Sequence, residues 1–332
     1  MRKILFSLVA LFCATVCFAQ GSMLATLKHD DTITTFYGSG ALKEAYTAAT
    51  HGDVITLSSG TFLATDIEKA ITIRGAGMGV GANIEVEPTV ITGDFTINIP
   101  DDVTAKFVLE GIYNNNVMSC GTLVNAVFTK CRLNKINQVY NTSGMKNATF
   151  LHCRIADILY VYYNSSVSCV NCAIERTSLG LGEDNSLECI NCVVWGQTNQ
   201  DNCSFKNCIL MFADNGFSSI SSRSSCYNSV SIGVDRFGAI SNNTNKVADS
   251  YSEVFATYTG EDFDNLDYET FELTDEAKTK YLGMDGTQVG IYGGPLPFDP
   301  NPSNPQITKC EVASKSTADG KLSVSLEVMV AE

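Results

Sequence analysis

Short runs of alternating apolar and polar residues recur through the middle of the chain. In each run the apolar positions lie two residues apart, as in Ala126 and Phe128 or Ala148 and Phe150, and this period is typical of a β-strand with one buried face. A cysteine or serine stands three residues after each run. These anchor residues are Cys131, Cys153, Cys172, Cys192, Cys208 and Ser229. Their spacings of 22, 19, 20, 16 and 21 residues indicate a structural repeat of about twenty.

A bend is predicted inside each repeat. The apolar set resumes at the anchor, as in Cys131 with Leu133, so two residues rather than one separate the halves. This slip would turn the second strand inside out unless the chain bends there. The bend residues, one before each anchor, are Lys130, His152, Asn171, Asn191, Asn207 and Asn228. Asparagine tolerates the left-handed backbone of a sharp corner, and stacked amides can hydrogen-bond along the stack. The pattern therefore predicts a parallel β-solenoid.

These residues resemble the right-handed parallel β-helix proteins of the pectin lyase-like superfamily, with their asparagine ladder and stacked interior columns. The resemblance extends upstream through GDVITLSSGTFLATDIEKAITIRGAGMG, from Gly52, which looks like the opening coils of pectate lyases and pectin methylesterases. Downstream, DGTQVGIYGGPLPFDPNPSNPQI, from Asp285, resembles the end of exported β-helix proteins from Bacteroidetes. The resemblance implies the fold but no single activity, because this fold hosts lyases, hydrolases, esterases and non-catalytic adhesins.

A helix is predicted before the first coil. Leu42, Ala45, Tyr46 and Ala49 fall on one helical face, which ends at Gly52. In the resembled family such a helix covers the open end of the coil, where strand edges would otherwise be exposed.

The overall prediction is an all-β chain, a right-handed parallel β-helix of about nine coils with an N-terminal capping helix and a short C-terminal β appendage. Five of the seven prolines lie between residues 295 and 305, which predicts a stiff linker, and alternating runs around Asp319 and Gly320 predict a hairpin after it. The predicted division is a signal peptide (1–19), a segment with the capping helix (20–50), the β-helix (51–295), and the linker with its hairpin (296–332).

Two C-x-x-C pairs, Cys169 with Cys172 and Cys189 with Cys192, have the spacing of a zinc ribbon. In half of the repeats, however, the first cysteine is replaced by phenylalanine, as at Phe128. A thiolate site cannot exchange a ligand for a phenyl ring, whereas an apolar interior column can. We therefore expect stacked buried thiols, with disulfides between neighbouring coils as the alternative.

Export is predicted from the first nineteen residues, where Arg2 and Lys3 precede a short apolar run that ends in small residues at Ala19. We expect a secreted, periplasmic or cell-surface protein without a transmembrane anchor. Without these two basic residues, 20 basic side chains face 36 acidic ones, a formal net charge of −16. Nucleic acid is therefore an unlikely class of partner, and a polysaccharide or cell-surface glycan is the partner that the resemblance suggests.

Four basic residues are the candidates for catalysis. Lys130, Arg132, His152 and Arg154 occupy equivalent places on two successive coils, about 4.8 Å apart, and could clamp or act on an acidic sugar. The alternative is that they are solvated corner residues, with both arginines lying along the surface.

Four tyrosines are the candidates for carbohydrate binding. Tyr140 and Tyr162 lie nine residues past their anchors, and with Tyr160 and Tyr163 they could form an aromatic platform. The alternative is that strands are rich in tyrosine in any case. Four residues past the anchors come Lys135, Asp157 and Arg176, which predict a structural charge ladder across the coils.

The function predicted first is a carbohydrate-associated binding or surface protein. The alternative is a polysaccharide lyase or glycoside hydrolase-like enzyme that acts on an acidic glycan through an unfamiliar active site. It comes second because no pectate lyase, polygalacturonase or pectin methylesterase motif set is present. No metal or cofactor is predicted. Ca²⁺ lacks a motif, since EDFDNLDYE, from Glu261, has neither the glycine nor the terminal glutamate of a calcium loop. GMGVGA, from Gly77, precedes a strand-like run rather than the helix of a dinucleotide site.

Overall fold

The chain forms a parallel β-solenoid of about eight turns, seen in a computed structural model. The structure describes residues 23–79, 87–162, 164–179, 184–199, 201–211, 220, 222–237, 240, 242–258, 271–301, 303, 306–312, 320–321 and 323–329. The predicted signal peptide, Tyr163, the acidic segment from Glu261 and part of the glycine-rich segment from Gly77 lie outside these ranges. The all-β class and the parallel β-helix are confirmed.

Two long sheets form the walls of the solenoid, with strands numbered in chain order. Sheet A contains, in spatial order, β2 (Thr32–Tyr37), β1 (Leu24–His29), β3 (Val54–Leu57), β5 (Thr72–Arg74), β8 (Val108–Glu110), β11 (Val127–Thr129), β14 (Ala148–Leu151), β16 (Ser166–Val170), β18 (Ser186–Ile190), β20 (Cys203–Lys206) and β22 (Ser225–Tyr227). Sheet B contains β4 (Gly60–Leu63), β6 (Thr89–Thr92), β9 (Ile112–Cys120), β12 (Arg132–Gln138), β15 (Arg154–Val161), β17 (Ala173–Leu179), β19 (Val193–Asn199), β21 (Ile209–Leu210), β23 (Val230–Ile232) and β24 (Lys246–Ala248), with β7 (Phe95–Ile97) beside β9. A small third sheet pairs β10 (Leu123–Val124) with β13 (Met145–Lys146).

The predicted corner between sheets A and B is present in all six repeats. The corner residues Lys130, His152, Asn171, Asn191, Asn207 and Asn228 have φ angles between 48° and 57°. This left-handed conformation is uncommon outside glycine and asparagine, which explains why asparagine is the commonest residue here. The preceding coil uses Gly111 at the same place, with φ 64°. The corner column thus continues upstream of the cysteine repeat.

Stacked columns of apolar side chains fill the interior. In one column Phe128 and Phe150 stack with their ring centroids 4.5 Å apart and nearly parallel. Cys169 and Cys189 continue the same column on the next two coils. Every coil thereby presents the same kind of surface to the next one, and burial of these side chains is the main stabilising contribution of the repeat.

The anchor thiols form a second column and satisfy the backbone at the corner. Each thiol donates to a carbonyl of the preceding coil, as Cys172 does to Phe150 O (3.4 Å) and Cys192 to Cys169 O (3.3 Å). Ser229 at the last anchor donates instead to Tyr227 O at 3.0 Å. The ten cysteines from Cys120 to Cys226 are free thiols and all are buried. Burial raises the pKa of Cys120 to about 12, which keeps this thiol protonated and unreactive.

The predicted capping helix is present as α1 (Ala41–Ala48), and it buries Ala41, Leu42 and Ala45. At its end the ammonium group of Lys69 donates to the carbonyls of Tyr46 (2.9 Å) and Ala49 (2.8 Å), and so supplies a donor at the terminus where helix carbonyls run short of backbone N–H groups.

An antiparallel hairpin that the sequence reasoning missed lies beside this helix. Its strands β1 and β2 extend sheet A past the first coil, and β1 pairs antiparallel with β3. The turn between them places Asp30 in the left-handed region at φ 50°. The sequence TITTFY of β2 lacks a regular apolar–polar alternation, and nearly all of its residues are exposed, so the pattern does not reveal the strand.

At the other end, the chain leaves the coil after β24 and forms two short helices, α2 (Tyr251–Val254) and α3 (Asp275–Lys280). Their side chains join a second apolar cluster on the outside of sheet B. The Glu253 carboxylate accepts hydrogen bonds from Lys280 Nζ and Tyr281 Oη, both at 2.5 Å, and these hold its pKa near about 2. The solenoid has about eight turns, against the about nine coils predicted. The region after β24 packs on the outside of sheet B rather than forming a further coil.

A C-terminal strap, residues 281–303, then runs back along the corner column from the last coil towards the first. Its contacts, in chain order, are Asn228 Nδ2 to Leu282 O (3.3 Å), Met284 N to Asn207 Oδ1 (2.9 Å), Asn171 Nδ2 to Ile291 O (2.7 Å) and Gly293 O (2.8 Å), His152 Nε2 to Leu296 O (3.0 Å), Lys130 Nζ to Asp299 Oδ2 (2.6 Å), and Ser303 N to Glu110 Oε1 (3.1 Å). The strap covers the corner and supplies hydrogen-bond partners to five of its six residues, Asn191 being the sixth.

The predicted amide ladder is therefore replaced, at this corner, by bonds to the strap. A ladder bond is described at a different corner, where Asn147 Nδ2 donates to Asn125 Oδ1 at 3.4 Å. After the strap, β25 (Gln306–Val312) and β26 (Val324–Met329) form the predicted C-terminal antiparallel hairpin.

Candidate functional site

The outer side of sheet B carries a surface of aromatic, basic and amide side chains on three successive strands. We call this surface, formed by Tyr113, Asn115, Arg132, Asn134, Lys135 and Tyr160, the basic–aromatic face. Arg132 pairs in register with Tyr113 on β9, and its guanidinium lies 4.9 Å from the centre of the Tyr113 ring. Lys135 Nζ lies 5.4 Å from the centre of the Tyr160 ring. Each cation is thus held against an aromatic face, which fixes its position.

A shallow depression of about 290 Å³ lies in the basic–aromatic face. Its lining residues are Tyr113, Asn115, Arg132, Asn134 and Ala156. Asn134 Nδ2 donates to Asn115 O at 3.3 Å, which orients the amide across two coils. The depression therefore offers a ring surface, a fixed cation and amide groups, the combination that binds a polar sugar ring with an acidic substituent.

Of the four predicted tyrosines, the structure brings Tyr160 and Tyr162 together. Tyr160 and Tyr162 lie on adjacent outward positions with ring centroids 5.6 Å apart, and Tyr162 Oη hydrogen-bonds Ser178 Oγ at 2.8 Å. Tyr140 lies in a turn beyond β12 and is 69% exposed. Tyr163 is outside the described residues.

A register shift explains why Tyr140 and Tyr162 do not lie opposite each other. Leu133 pairs with Ile155, but further along Ile136 pairs with Leu159, so β15 has gained one residue between these pairs. Such a bulge re-aims the side chains beyond it. The expected alignment by counting from the anchors fails for this reason.

The four basic candidates separate into three environments. Arg132 belongs to the basic–aromatic face. Arg154 pairs with it in register but is only 2% exposed, so the alternative that this arginine lies along the surface is wrong. Lys130 and His152 lie at the corner, as predicted, and the strap engages both.

The strap contacts at Lys130 and His152 are polar. Lys130 Nζ donates to the Asp299 carboxylate and to Asn301 O, and its side chain is 14% exposed. His152 Nε2 donates to Leu296 O, which requires the neutral ring to carry its proton on that nitrogen. Burial, aided by the charge of Lys130, lowers the pKa of His152 despite this hydrogen bond. His152 is therefore neutral at pH 7.

The charge ladder is present between two of its three members. Arg176 forms an ion pair with Asp157 on the preceding coil. Lys135, the third member, instead lies over Tyr160. Because the Asp157–Arg176 pair is partly exposed, its contribution to stability is small, about 0–1 kcal/mol.

Tyr113, Asn115 and Asn134 were missed by the sequence reasoning. The repeat was aligned on cysteine anchors, and in the coil of Tyr113 the anchor is Ile112 and the corner is Gly111. Aligning on the corner instead would have placed Tyr113 beside Arg132. The strap had a signal as well, since the anchors from Cys172 onward are followed by an outward apolar residue such as Val193 or Ile209.

Metal binding and membrane spanning have no support in the described part of the chain. Within the ranges given above, no three His, Cys, Asp or Glu side chains converge as a metal site would require. No described helix has the length and apolar character needed to cross a membrane. No family model, curated protein or solved structure matches the chain.

Proposed function

We propose that this chain is an exported carbohydrate-binding β-helix protein whose basic–aromatic face takes an acidic glycan. The observation that carries the proposal is Arg132, held against the Tyr113 ring at the edge of a depression that also presents Asn115 and Asn134. Export rests on the signal-like residues 1–19.

The arrangement suits a uronic-acid sugar for three physical reasons. The apolar face of a sugar ring stacks on the exposed part of a tyrosine, as on Tyr160. A carboxylate pairs with the guanidinium of Arg132 through charge-assisted hydrogen bonds. The amides of Asn115 and Asn134 can both donate to and accept from hydroxyl groups.

The negative net charge of the chain restricts how a polyanion can bind. With a formal net charge of −14 for the whole chain, long-range steering of a polyanion is unfavourable. Binding must then come from short-range contacts at the basic–aromatic face. Added salt should have little effect on long-range attraction, which is already unfavourable, and should weaken binding by screening the direct ion pairs.

The enzyme alternative has less support than binding. Of the four basic candidates, Arg154 is buried and both Lys130 and His152 are engaged by the strap. Of these four residues, only Arg132 lies on the basic–aromatic face, where pairing with a carboxylate would serve binding directly. A general base would need to reach a substrate proton, and the described contacts favour no residue for that role.

Isothermal titration with polygalacturonate tests the proposal, with its fully methyl-esterified form as a control that keeps the sugar backbone but lacks the charge. We expect the acidic polymer to bind more tightly. Arg132→Ala should weaken this binding about tenfold, the loss of one charge-assisted contact. Arg223→Ala is the matched control, because Arg223 forms its ion pair with Asp201 elsewhere on the solenoid.

Equal binding of the two polymers, or full binding by Arg132→Ala, would overturn the proposal. Unsaturated uronate absorbance and new reducing ends are followed in the same samples. Their appearance with the parent chain would favour the enzyme alternative.

A further inference from the structure

The two halves of the strap are held by different forces. The proximal half, residues 281–293, is fixed by apolar burial, since Val289 and Ile291 are each 1% exposed. The backbone of this half lies directly on the coil, because a Cβ added at Gly290 would come within 2.7 Å of Ile209 Cδ1. Gly290 N also donates to Asn207 O at 2.9 Å.

The distal half, residues 296–303, is held mainly through acceptor groups. Pro297 and Pro300 have no N–H to donate, and Leu296 is 56% exposed. Its contacts with the corner are the carbonyls of Leu296 and Asn301 and the carboxylate of Asp299. Phe298 is its one large buried side chain within the described residues, with its ring 5.9 Å from that of His152.

These acceptors have the chemistry of an acidic sugar. A uronate presents one carboxylate and several hydroxyl or ring oxygens, and the distal half presents one carboxylate and two carbonyl oxygens to Lys130 and His152. Lys130 stands two residues before Arg132, at the corner that leads into the basic–aromatic face. The distal half therefore neutralises Lys130, a cation two residues before Arg132 in the chain.

We propose that the distal half of the strap is a built-in competitor for the acidic ligand, so that an acidic glycan bound at Arg132 displaces Asp299 from Lys130 and recruits Lys130 to itself. This inference rests on the proposed function of the basic–aromatic face. It gives the corner a role as a gated extension of the site. The proximal half stays docked, because the buried side chains of Val289 and Ile291 hold it in addition to its hydrogen bonds with the corner asparagines.

The contacts predict which change releases the competitor. Asp299 also accepts from Asn301 N (3.0 Å) and Asn301 Nδ2 (2.9 Å), so its carboxylate organises the local turn as well as pairing with Lys130. Asp299→Asn removes the charge while keeping the side-chain shape. Glu188→Gln is the matched control, because the Glu188 carboxylate is about as exposed as that of Asp299 and pairs with Lys206 at 2.7 Å rather than with a corner residue.

Titration of the full-length variants with polygalacturonate tests the inference. We expect Asp299→Asn to bind about threefold to fivefold more tightly than the parent chain, in line with the modest strength of a partly exposed ion pair. Glu188→Gln should bind as the parent does. In the parent, hydrogen–deuterium exchange of residues 296–303 should rise on adding polygalacturonate, while exchange of residues 281–293 should stay constant.

The outcomes separate the inference from the proposed function. Binding that depends on Arg132 but is unchanged by Asp299→Asn, with residues 296–303 equally protected with and without polygalacturonate, overturns the inference alone. The same gain in Glu188→Gln as in Asp299→Asn also overturns it, since net charge would then explain the effect. Failure of both the parent and Asp299→Asn to bind overturns the proposed function, and the inference with it.

Discussion

The coils around β12 and those around β19 and β21 share one interior but differ on the outside of sheet B. Both stack the same anchor thiols and use the same left-handed corner. Outside, Arg132 lines an open depression, whereas Val193 and Ile209 at the equivalent position are completely buried beneath the strap region. The interior repeat therefore accounts for the coil, whereas the outer surface differs according to whether a later part of the chain covers it.

The largest expected effect comes from shortening an apolar side chain that is buried beneath the strap. Ile209→Ala should lower the free energy of unfolding by about 2–4 kcal/mol, because it leaves a cavity between sheet B and the strap. Thermal and denaturant unfolding measure this loss. Ile33→Ala deletes the same atoms at a site that is 68% exposed and should cost less than about 0.5 kcal/mol. Similar losses of unfolding free energy in the two variants would contradict the burial of Ile209 between sheet B and the strap.

An intermediate effect is expected where the strap meets the corner. Asn171→Ala removes two hydrogen bonds to the strap and places a Cβ-bearing, non-asparagine residue at φ 49°, so we expect a loss of about 2–3 kcal/mol in unfolding free energy. Asn171→Gly removes the bonds but tolerates the left-handed backbone. The difference between the two variants isolates the backbone cost. Equal losses in the two variants would mean that alanine adopts the left-handed backbone at residue 171 without a measurable cost.

The smallest effect is a pH dependence confined to the distal half of the strap. The pKa of His152 in the folded chain lies below its ordinary value, so the unfolded chain binds this proton more readily. Stability from neutral His152 is therefore fully present above about pH 6.5 and is lost as the pH falls through the lowered folded pKa. Hydrogen exchange of residues 296–301, corrected for the intrinsic rate, should rise as the pH falls from 7 through the lowered pKa of His152.

A control residue gives the opposite sign. A hydrogen bond to Asp53 raises the pKa of His29, so its contribution is present at low pH and is lost as the pH rises through the folded pKa. The β1–β2 hairpin should consequently exchange faster at higher pH, after correction for the intrinsic rate. In His152→Gln the acid-induced rise in residues 296–301 should disappear, and its persistence would assign the effect to another group.

Much of the fold could be predicted from the chain because its repeat is local and redundant. Two-residue alternation and a cysteine or serine anchor recur six times, with asparagine at four of the six corners, so each copy supports the others. Counting from the anchors fails where strands of sheet B carry register shifts, which occur at four of its strand pairs among the described residues. The bulge between Leu133 and Ile136 shifts the pairing by one residue, and no residue type in that stretch announces it.

The candidate site was harder to predict, because it depends on which outward positions the rest of the chain covers. Lys130, Arg132, His152 and Arg154 were correctly placed on two successive coils, yet they lie in three different environments. Contacts between residues about 170 positions apart, such as Lys130 with Asp299, separate them. Spacing within a repeat carries no information about such partners.

The amino-acid sequence by itself determined the coil, since interior alternation, left-handed corners and anchor thiols act between residues one repeat apart. Only the tertiary structure decided which part of the outer surface remains open. The strap returns across the coils after the repeat has ended, and its apolar half is buried on sheet B while its acidic half pairs with Lys130. Long-range packing of this kind depends on where the chain goes after the last coil, which local periodicity does not encode.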